Sequence, residues 1–228
     1  MTDVIEHLMA SDDPCVRYRA LVDAVGAPVS SPRARRLRAA IPTSDRVRRL
    51  LSTRDAAGRM RSVYAKYTGA QWVLADLANL GYPEGDAELI PLRDQVYERW
   101  LNPDHVRERI VERESARYKS RPGVPVIDGR ARRCASQEGN ALYATLALGI
   151  ADRRADQLAA NLIRWQWPDG GWNCDRKREA HTSSFHETLL PLRGLAWHAR
   201  VTGAQASQEA ADRAADFLLQ RRLFRRKT

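Results

Sequence analysis

Helical periodicity recurs along this 228-residue chain, and glycines mark the ends of the helices. Apolar residues return at intervals of three and four, which is the spacing of one helical face. Glycine closes each run because it enters the left-handed conformation of a helix end at little cost. Strand-like alternation is almost absent, so an all-α fold is predicted. The runs span 15–25, 69–80, 139–149 and 188–201, and the glycines are Gly26, Gly81, Gly149 and Gly203.

The spacing of these glycines indicates an internal repeat. Gly149 and Gly203 each precede by 17 residues a glutamine, Gln166 or Gln220, that ends a second helix. A helix, a glycine turn, a second helix and a connector then form one unit, as in helical-hairpin repeat proteins. We predict one domain, 1–228. Its parts are degenerate hairpins over 1–118 with an extra helix at 103–118, an exposed Pro/Gly-rich loop over 119–133, and better-defined hairpins over 134–228.

Charge and cysteine content indicate which partners the chain can bind and in which redox compartment it resides. The formal charge is +10, carried mainly by arginine, which favours an anionic partner but is also what a GC-rich genome produces. The three cysteines have no paired spacing, which argues against a disulfide framework and for a reducing compartment.

The acidic N-terminal stretch does not resemble a signal peptide, and the longest apolar run is too short to span a bilayer. A cytoplasmic protein without a transmembrane segment is therefore predicted.

The most specific local pattern is Gln-Trp-Pro-Asp-Gly-Gly-Trp at 166–172. Gly170 and Gly171 permit a tight turn, and Gln166 can bond the exposed backbone of a helix end. Trp172 can seal the turn with a large apolar side chain. The pattern predicts a structural corner between helices, formed by Gln166, Asp169, Gly170, Gly171 and Trp172.

This corner resembles the QW motif, Q-x-x-D-G-G-W, of squalene and oxidosqualene cyclases. Their α/α-toroid superfamily also contains the β subunits of protein prenyltransferases. The resemblance is specific over 134–222 and weaker over 14–100, where the motif has become Arg-Asp-Ala-Ala-Gly-Arg-Met at 54–60. It implies helical hairpins that form a partial or complete toroid. A closed toroid of the resembled family takes about six hairpins, whereas about four and an extra helix are counted in this sequence. We therefore expect an open half-toroid, a toroid completed by a second copy, or a truncated relative.

The resemblance also implies an isoprenoid or other apolar ligand in a central cavity, with cyclase or transferase chemistry as one possibility. The corner's surroundings supply candidate catalytic groups, although Ser184 and Glu187 also fit a capping box at a helix start. The candidate catalytic residues are Asp175, His181 and His186, and the candidate ligand contacts are Trp72, Tyr143, Cys174, Trp197 and Glu187.

The catalytic and metal-binding motifs of the resembled family are incomplete in this sequence. Neither the D-x-D-D acid segment nor a D-D-x-x-D magnesium segment occurs. The zinc pair of the transferases falls on His181 and Ser183, and serine is a poor zinc ligand. Cys174, His181 and His186 could form a different site, but their spacing does not show that they converge. We therefore predict no stoichiometric metal and no cofactor, and leave activity undecided.

Two alternatives to an enzyme remain. One is a non-catalytic lipid-binding protein, and the other is a repeat scaffold that binds a protein or, less favoured, nucleic acid through an arginine-rich face. A deep apolar concavity lined by Trp72, Tyr143 and Trp197 would favour an isoprenoid ligand, whereas a shallow polar face would favour the scaffold. Apolar residues on the first and last helices further predict a homodimer.

Overall fold

Helices dominate the computed structural model, which describes residues 2–112 and 122–225. A π-helical turn, Ala20–Ala24, continues α2, and 3-10 turns at Ile41–Thr43 and Ala87–Leu89 precede α4 and α6. The α-helices in the described ranges are α1 Thr2–Met9, α2 Pro14–Arg19, α3 Pro32–Ala40, α4 Asp45–Leu51, α5 Ala70–Leu80, α6 Ile90–Trp100, α7 Pro103–Val106, α8 Ala135–Ala147, α9 Arg154–Arg164, α10 Phe185–Thr202 and α11 Gln205–Gln220.

A small sheet accompanies the helices and corrects two predictions. Strand β1, Glu108–Ile110, pairs in parallel with β2, Val124–Ile127, and β2 pairs antiparallel with β3, Arg130–Ala131. The helix predicted over 103–118 is confirmed only at Pro103–Val106, where α7 lies, and is wrong from there to residue 112, where β1 follows. Residues 113–118 lie outside the described residues. The exposed loop predicted over 119–133 is also wrong where it is described, because β2 and β3 occupy it. The fold is mainly helical rather than purely so.

The chain divides into two compact units. Unit 1 comprises Met1–Gln95 with Ala147–Ile150, and unit 2 comprises Val96–Leu146 with Ala151–Thr228. The core of unit 1 includes the fully buried Ile41, Val47, Leu74, Leu77, Leu89 and Leu92, and that of unit 2 includes Leu142, Leu158, Leu162, Trp165 and Trp172.

The predicted glycine helix stops are confirmed. Gly81 and Gly203 are the C-caps of α5 and α10 and adopt left-handed conformations, with φ of 84° and 74°. After Gly203 the chain turns at once into α11, which packs along α10 as a hairpin. In the described residues, no helix is both long enough and apolar enough to cross a bilayer.

The corner at 166–172 has a counterpart in unit 1 with the same backbone hydrogen bonds. Trp167 N–H donates to the Gly171 carbonyl at 2.8 Å and Gly170 N–H donates to the Trp167 carbonyl at 2.9 Å. At 54–60 the corresponding bonds run from Asp55 to Arg59 and from Gly58 to Asp55, both at 2.9 Å. The turn is thus repeated although most of its side chains differ.

The first side chain of each corner, Gln166 or Arg54, donates hydrogen bonds to backbone carbonyls. Gln166 Nε2 donates to the carbonyls of Gly170 and Ala210, both at 2.8 Å, and so ties the corner to α11. In unit 1, Arg54 donates from Nη1 to the Glu88 carbonyl at 3.1 Å. Each corner is therefore bonded to a backbone carbonyl later in the chain, in α11 for Gln166 and in the 3-10 turn before α6 for Arg54.

Candidate metal centre

A crossing of two helices in unit 2 brings distant residues together. A Cβ at Gly139 of α8 would overlap the backbone of Pro191, and one at Gly194 of α10 would overlap the Gly139 carbonyl. Only glycine therefore permits this close approach of the two backbones. Because Ser136 contacts Glu187 and Tyr143 contacts Trp197 further along, α8 and α10 run parallel, with their N-termini at the same end.

Three side chains that can serve as metal ligands meet at that end. Cys134 lies immediately before α8, Glu187 lies in the first turn of α10, and Cys174 follows the corner. One donor atom from each of the three lies within 4.8 Å of the others. The Cys174 thiol donates to Glu187 Oε1 at 3.4 Å. A thiol pair and a carboxylate from three separate segments therefore form one cluster.

The corner fixes the position of Cys174. Trp172 is fully buried, and its Nε1 donates to the Leu162 carbonyl at 2.9 Å. Asp169 accepts hydrogen bonds from the Ser183 backbone N–H at 2.8 Å and from the Ser183 hydroxyl at 2.5 Å, which closes the loop from 173 to 183. Cys174 thus lies two residues after the buried Trp172, directly beyond a hydrogen-bonded turn.

The predicted capping box is not formed. Ser184 is the N-cap of α10, but its side chain makes no cap hydrogen bond. Glu187 does not bond its own helix start; its Oε2 accepts from the Ser136 N–H of α8 at 3.0 Å. Glu187 is only 6% exposed, yet its carboxylate forms no salt bridge among the described residues. Its negative charge faces two thiols and two helix N-termini.

The two thiols differ in how readily they ionise. Proximity to the Cys174 thiol lowers the pKa of Cys134, whereas proximity to Cys134, together with burial, raises the pKa of Cys174. One thiolate therefore forms more readily than the second. Positive partial charge at the start of α8 also favours an anion beside it.

A second charged group lies next to Cys134. Arg133 pairs with Glu138, which is 1% exposed, and also contacts His105. Burial raises the pKa of Glu138, and its Oε2 has no hydrogen-bond partner within the described part of the chain. Burial, and then the neighbouring Arg133 and Arg99, lowers the pKa of His105 to about 3. Arg133, the residue next to Cys134, thus holds a buried carboxylate and an imidazole together.

The predicted catalytic residues are not gathered at this cluster. Asp175 is exposed and accepts from the Lys177 N–H at 3.0 Å, which is a local turn bond. His181 and His186 are exposed as well. His186 lines a pocket of about 520 Å³ with polar neighbours, namely Asn173, Thr182, Ser183, Ser184 and Arg221, together with Phe185.

The predicted aromatic ligand contacts pack against other groups. Trp72 lies in unit 1, with ring centroids 6.1 Å from Tyr64 and 5.6 Å from Tyr67. In unit 2, Tyr143 and Trp197 meet edge to face at 5.2 Å. Guanidinium groups lie over these two rings, Arg193 over Tyr143 and Arg200 over Trp197.

A serine–histidine–aspartate set in unit 2 resembles a hydrolase triad only in its bonds. His198 contacts Ser207 Oγ and Asp156 Oδ1, each at 2.9 Å. Ser207 is 1% exposed whereas the Asp156 side chain is 67% exposed, the reverse of an accessible nucleophile with a buried acid. The set ties α9, α10 and α11 together.

No family model, curated protein or solved structure matches this chain. The corner and the cluster are therefore judged on their own residues and geometry. Sequence reasoning included Cys174 and Glu187 but omitted Cys134 and Glu138. Cys134 precedes α8 and lies 40 residues from Cys174, so no local spacing could have linked the two.

Proposed function

We propose that unit 2 binds a thiophilic divalent cation, zinc in the first place, between Cys134, Cys174 and Glu187. The observation that carries the proposal is the convergence of two thiols and a buried carboxylate from three segments of the chain. Thiolate ligands select zinc over the harder magnesium and calcium ions.

The dimensions support this assignment. Bond lengths of about 2.3 Å to sulfur and about 2.0 Å to oxygen place tetrahedral zinc ligands about 3.5 Å apart. The Cys174 sulfur and Glu187 Oε1 are 3.4 Å apart. The cation would also compensate a buried carboxylate that has no basic partner in the described residues, a state that is otherwise costly.

Three protein ligands favour a reactive rather than a purely structural centre. Structural zinc sites are closed by four protein ligands, whereas catalytic sites keep the fourth position for water or substrate. Such a zinc ion lowers the pKa of bound water and polarises carbonyl or phosphoryl oxygens. We therefore propose a zinc-dependent enzyme of the reducing cytoplasm, where Cys134 and Cys174 stay free of disulfide formation.

This proposal departs from the expectation of a metal-free protein. That expectation followed the zinc positions of the resembled transferases, which fall on His181 and Ser183. The cluster uses other positions: Cys174 lies near the start of the same connector, and Cys134 lies immediately before α8.

Metal analysis of the full chain tests the proposal. The protein is purified under reducing conditions, stripped with chelator and reloaded with zinc or cobalt(II). We expect about one ion per chain, and for cobalt a thiolate charge-transfer band and intense tetrahedral d–d bands. Cys174→Ala should abolish the charge-transfer spectrum or reduce it strongly, and Glu187→Gln should weaken binding while the remaining thiolate bands persist.

Cys15→Ala is the matched control, since Cys15 is a buried free cysteine of unit 1. It should load metal as the parent chain does. Absence of bound metal in a folded parent chain, or equal loss in all three variants, would refute the metal centre.

An isoprenoid or other apolar ligand is a second proposal, favoured by the repeated corner. Two turns with the same hydrogen bonds and two parallel helices, α8 and α10, are features expected of the resembled toroids. A fluorescent farnesyl analogue should bind saturably, and Trp197→Ala should weaken it more than Trp72→Ala if the site belongs to unit 2. Failure of the analogue to bind would remove this proposal without affecting the metal centre.

A further inference from the structure

The net charge of the chain is concentrated in one short stretch of unit 1. Residues 24–54 contain eight arginines, no lysine and a single acid, Asp45, which gives a net charge of +7. The other 197 residues contain 30 basic and 27 acidic residues and are nearly balanced. A genome-wide preference for arginine would raise the basic content everywhere, so it does not account for this imbalance.

The stretch folds into α3 and α4, which bury their apolar side and present the arginines. Ala34, Ile41 and Val47 are fully buried. The remaining faces carry four exposed arginines that form no salt bridge with any described residue. These four, named the arginine surface here, are Arg33, Arg35 and Arg36 of α3 and Arg49 of α4.

Their unpaired state distinguishes them from their neighbours. Arg46 pairs with Asp13 at 2.7 Å, Arg38 pairs with Glu84 at 3.1 Å, and Arg48 pairs with Asp45. The acids near this part of the fold are thus engaged, and four guanidinium groups stay available. Guanidinium matches phosphate oxygens with paired hydrogen bonds.

We propose that the arginine surface binds the phosphate backbone of double-stranded nucleic acid, independently of base sequence. Helix α3 has nine residues and a length of about 14 Å, along which a duplex presents about eight negative charges. This activity belongs to unit 1 and does not rest on the metal centre.

The composition of the surface favours a duplex over the other polyanions. Single-stranded nucleic acid is held by stacking on aromatic rings, and residues 24–54 contain no aromatic side chain. A membrane-bound amphipathic helix inserts an apolar face, but the apolar residues of α3 and α4 named above are buried in the core. Binding to the backbone phosphates of a duplex requires only cationic side chains, which the arginine surface supplies.

Fluorescence anisotropy with a fluorescein-labelled DNA duplex of mixed sequence tests the proposal across a salt series. Four phosphate contacts should give a slope of log K against log salt of about −3.6. The triple variant Arg33→Gln, Arg35→Gln, Arg36→Gln should bind about tenfold more weakly or worse, and the slope should shrink by about three. Circular dichroism and thermal melting establish that the variant is folded.

The matched control removes the same charge from exposed positions of unit 2, with Arg153→Gln, Lys177→Gln and Arg222→Gln. It should retain most of the affinity and the salt slope. Equal losses in both triple variants would show binding by net charge alone and overturn the proposal. So would absence of duplex binding at low salt, or binding to phosphatidylserine vesicles in preference to the duplex.

Discussion

Glu187 caps the helix beside its own. Its Oε2 accepts the Ser136 N–H of α8 at 3.0 Å, while its Oε1 accepts the Cys174 thiol at 3.4 Å. One carboxylate therefore joins the start of α10 to the start of α8 and to the end of the corner. A change at either helix is expected to reach the cluster through this side chain.

Trp172→Ala should destabilise unit 2 strongly rather than remove an activity selectively. The indole is fully buried and donates to the Leu162 carbonyl, so its loss creates a cavity and an unpaired acceptor. Truncation of a buried tryptophan costs about 3–5 kcal/mol. Chemical denaturation measures the free energy of unfolding. An unchanged midpoint together with abolished ligand or metal binding would assign Trp172 to the site instead.

Gly170→Ala should also destabilise the chain, with a control elsewhere in unit 2. Gly170 has a φ of 95°, and a Cβ there would overlap the Arg213 carbonyl of α11. Gly129 has a φ of 72° but open space around it. Gly129→Ala should cost about 1 kcal/mol for the backbone conformation alone, and Gly170→Ala clearly more. Equal melting temperatures for the two variants would contradict the close approach of the corner to α11.

The helices and the corner could be predicted from the sequence because their signals are local. Glycines at the helix ends and apolar spacing depend on neighbouring residues only, and the degraded motif at 54–60 kept the glycine that its turn requires. The sheet escaped prediction because β1 and β2 are short and pair across 13 intervening residues, Val111–Gly123. Neither strand is long enough to show alternation.

The cluster escaped prediction for a different physical reason. Cys134 and Cys174 lie 40 residues apart in sequence, and the crossing at Gly139 that brings their segments together has no local pattern. Glu187 had a sufficient local explanation in the capping box. The structure shows that a tertiary contact, the Ser136 N–H, replaces that local bond.

Stability should decrease as pH falls below about 6.5, partly because of His105. Burial and neighbouring Arg133 lower its pKa to about 3, so between these values the unfolded chain binds more protons at this position than the folded chain. The contribution reaches about 1.4 kcal/mol per pH unit. Urea titrations at pH 7 and pH 5 with chelator measure it. His105→Gln should flatten this dependence, and an unaltered dependence would place the effect on other groups.

A homodimer remains a prediction. Fewer apolar side chains are exposed for its interface than the sequence suggests. Phe217 and Leu218 are buried within unit 2, and Leu21 is buried within unit 1. Leu223 and Phe224 remain 64% and 72% exposed beside α11. Light scattering at moderate salt should find a dimer that weakens at low salt, where the +10 charge is less screened. Leu223→Ser with Phe224→Ser should yield monomer, and a monomeric parent chain at all salt concentrations would refute the dimer.

Gly139→Ala tests whether the crossing of α8 and α10 holds the cluster together. The sign of the change in the free energy of unfolding distinguishes a close crossing from an unconstrained helix. In an unconstrained helix, alanine in place of glycine stabilises by up to about 1 kcal/mol. At Gly139 the added Cβ would overlap the Pro191 backbone, which cannot move away as a flexible side chain could. We therefore expect a loss of about 1–3 kcal/mol. The separation of α8 from α10 should also lengthen the contact between Ser136 and Glu187 and weaken cobalt binding. Gly194→Ala, which meets the Gly139 carbonyl from the other helix, should reproduce both effects. A stabilised Gly139→Ala chain with an unchanged cobalt spectrum would contradict this expectation. It would show that the two backbones can accommodate a Cβ at Gly139 and that the crossing does not position the three ligands.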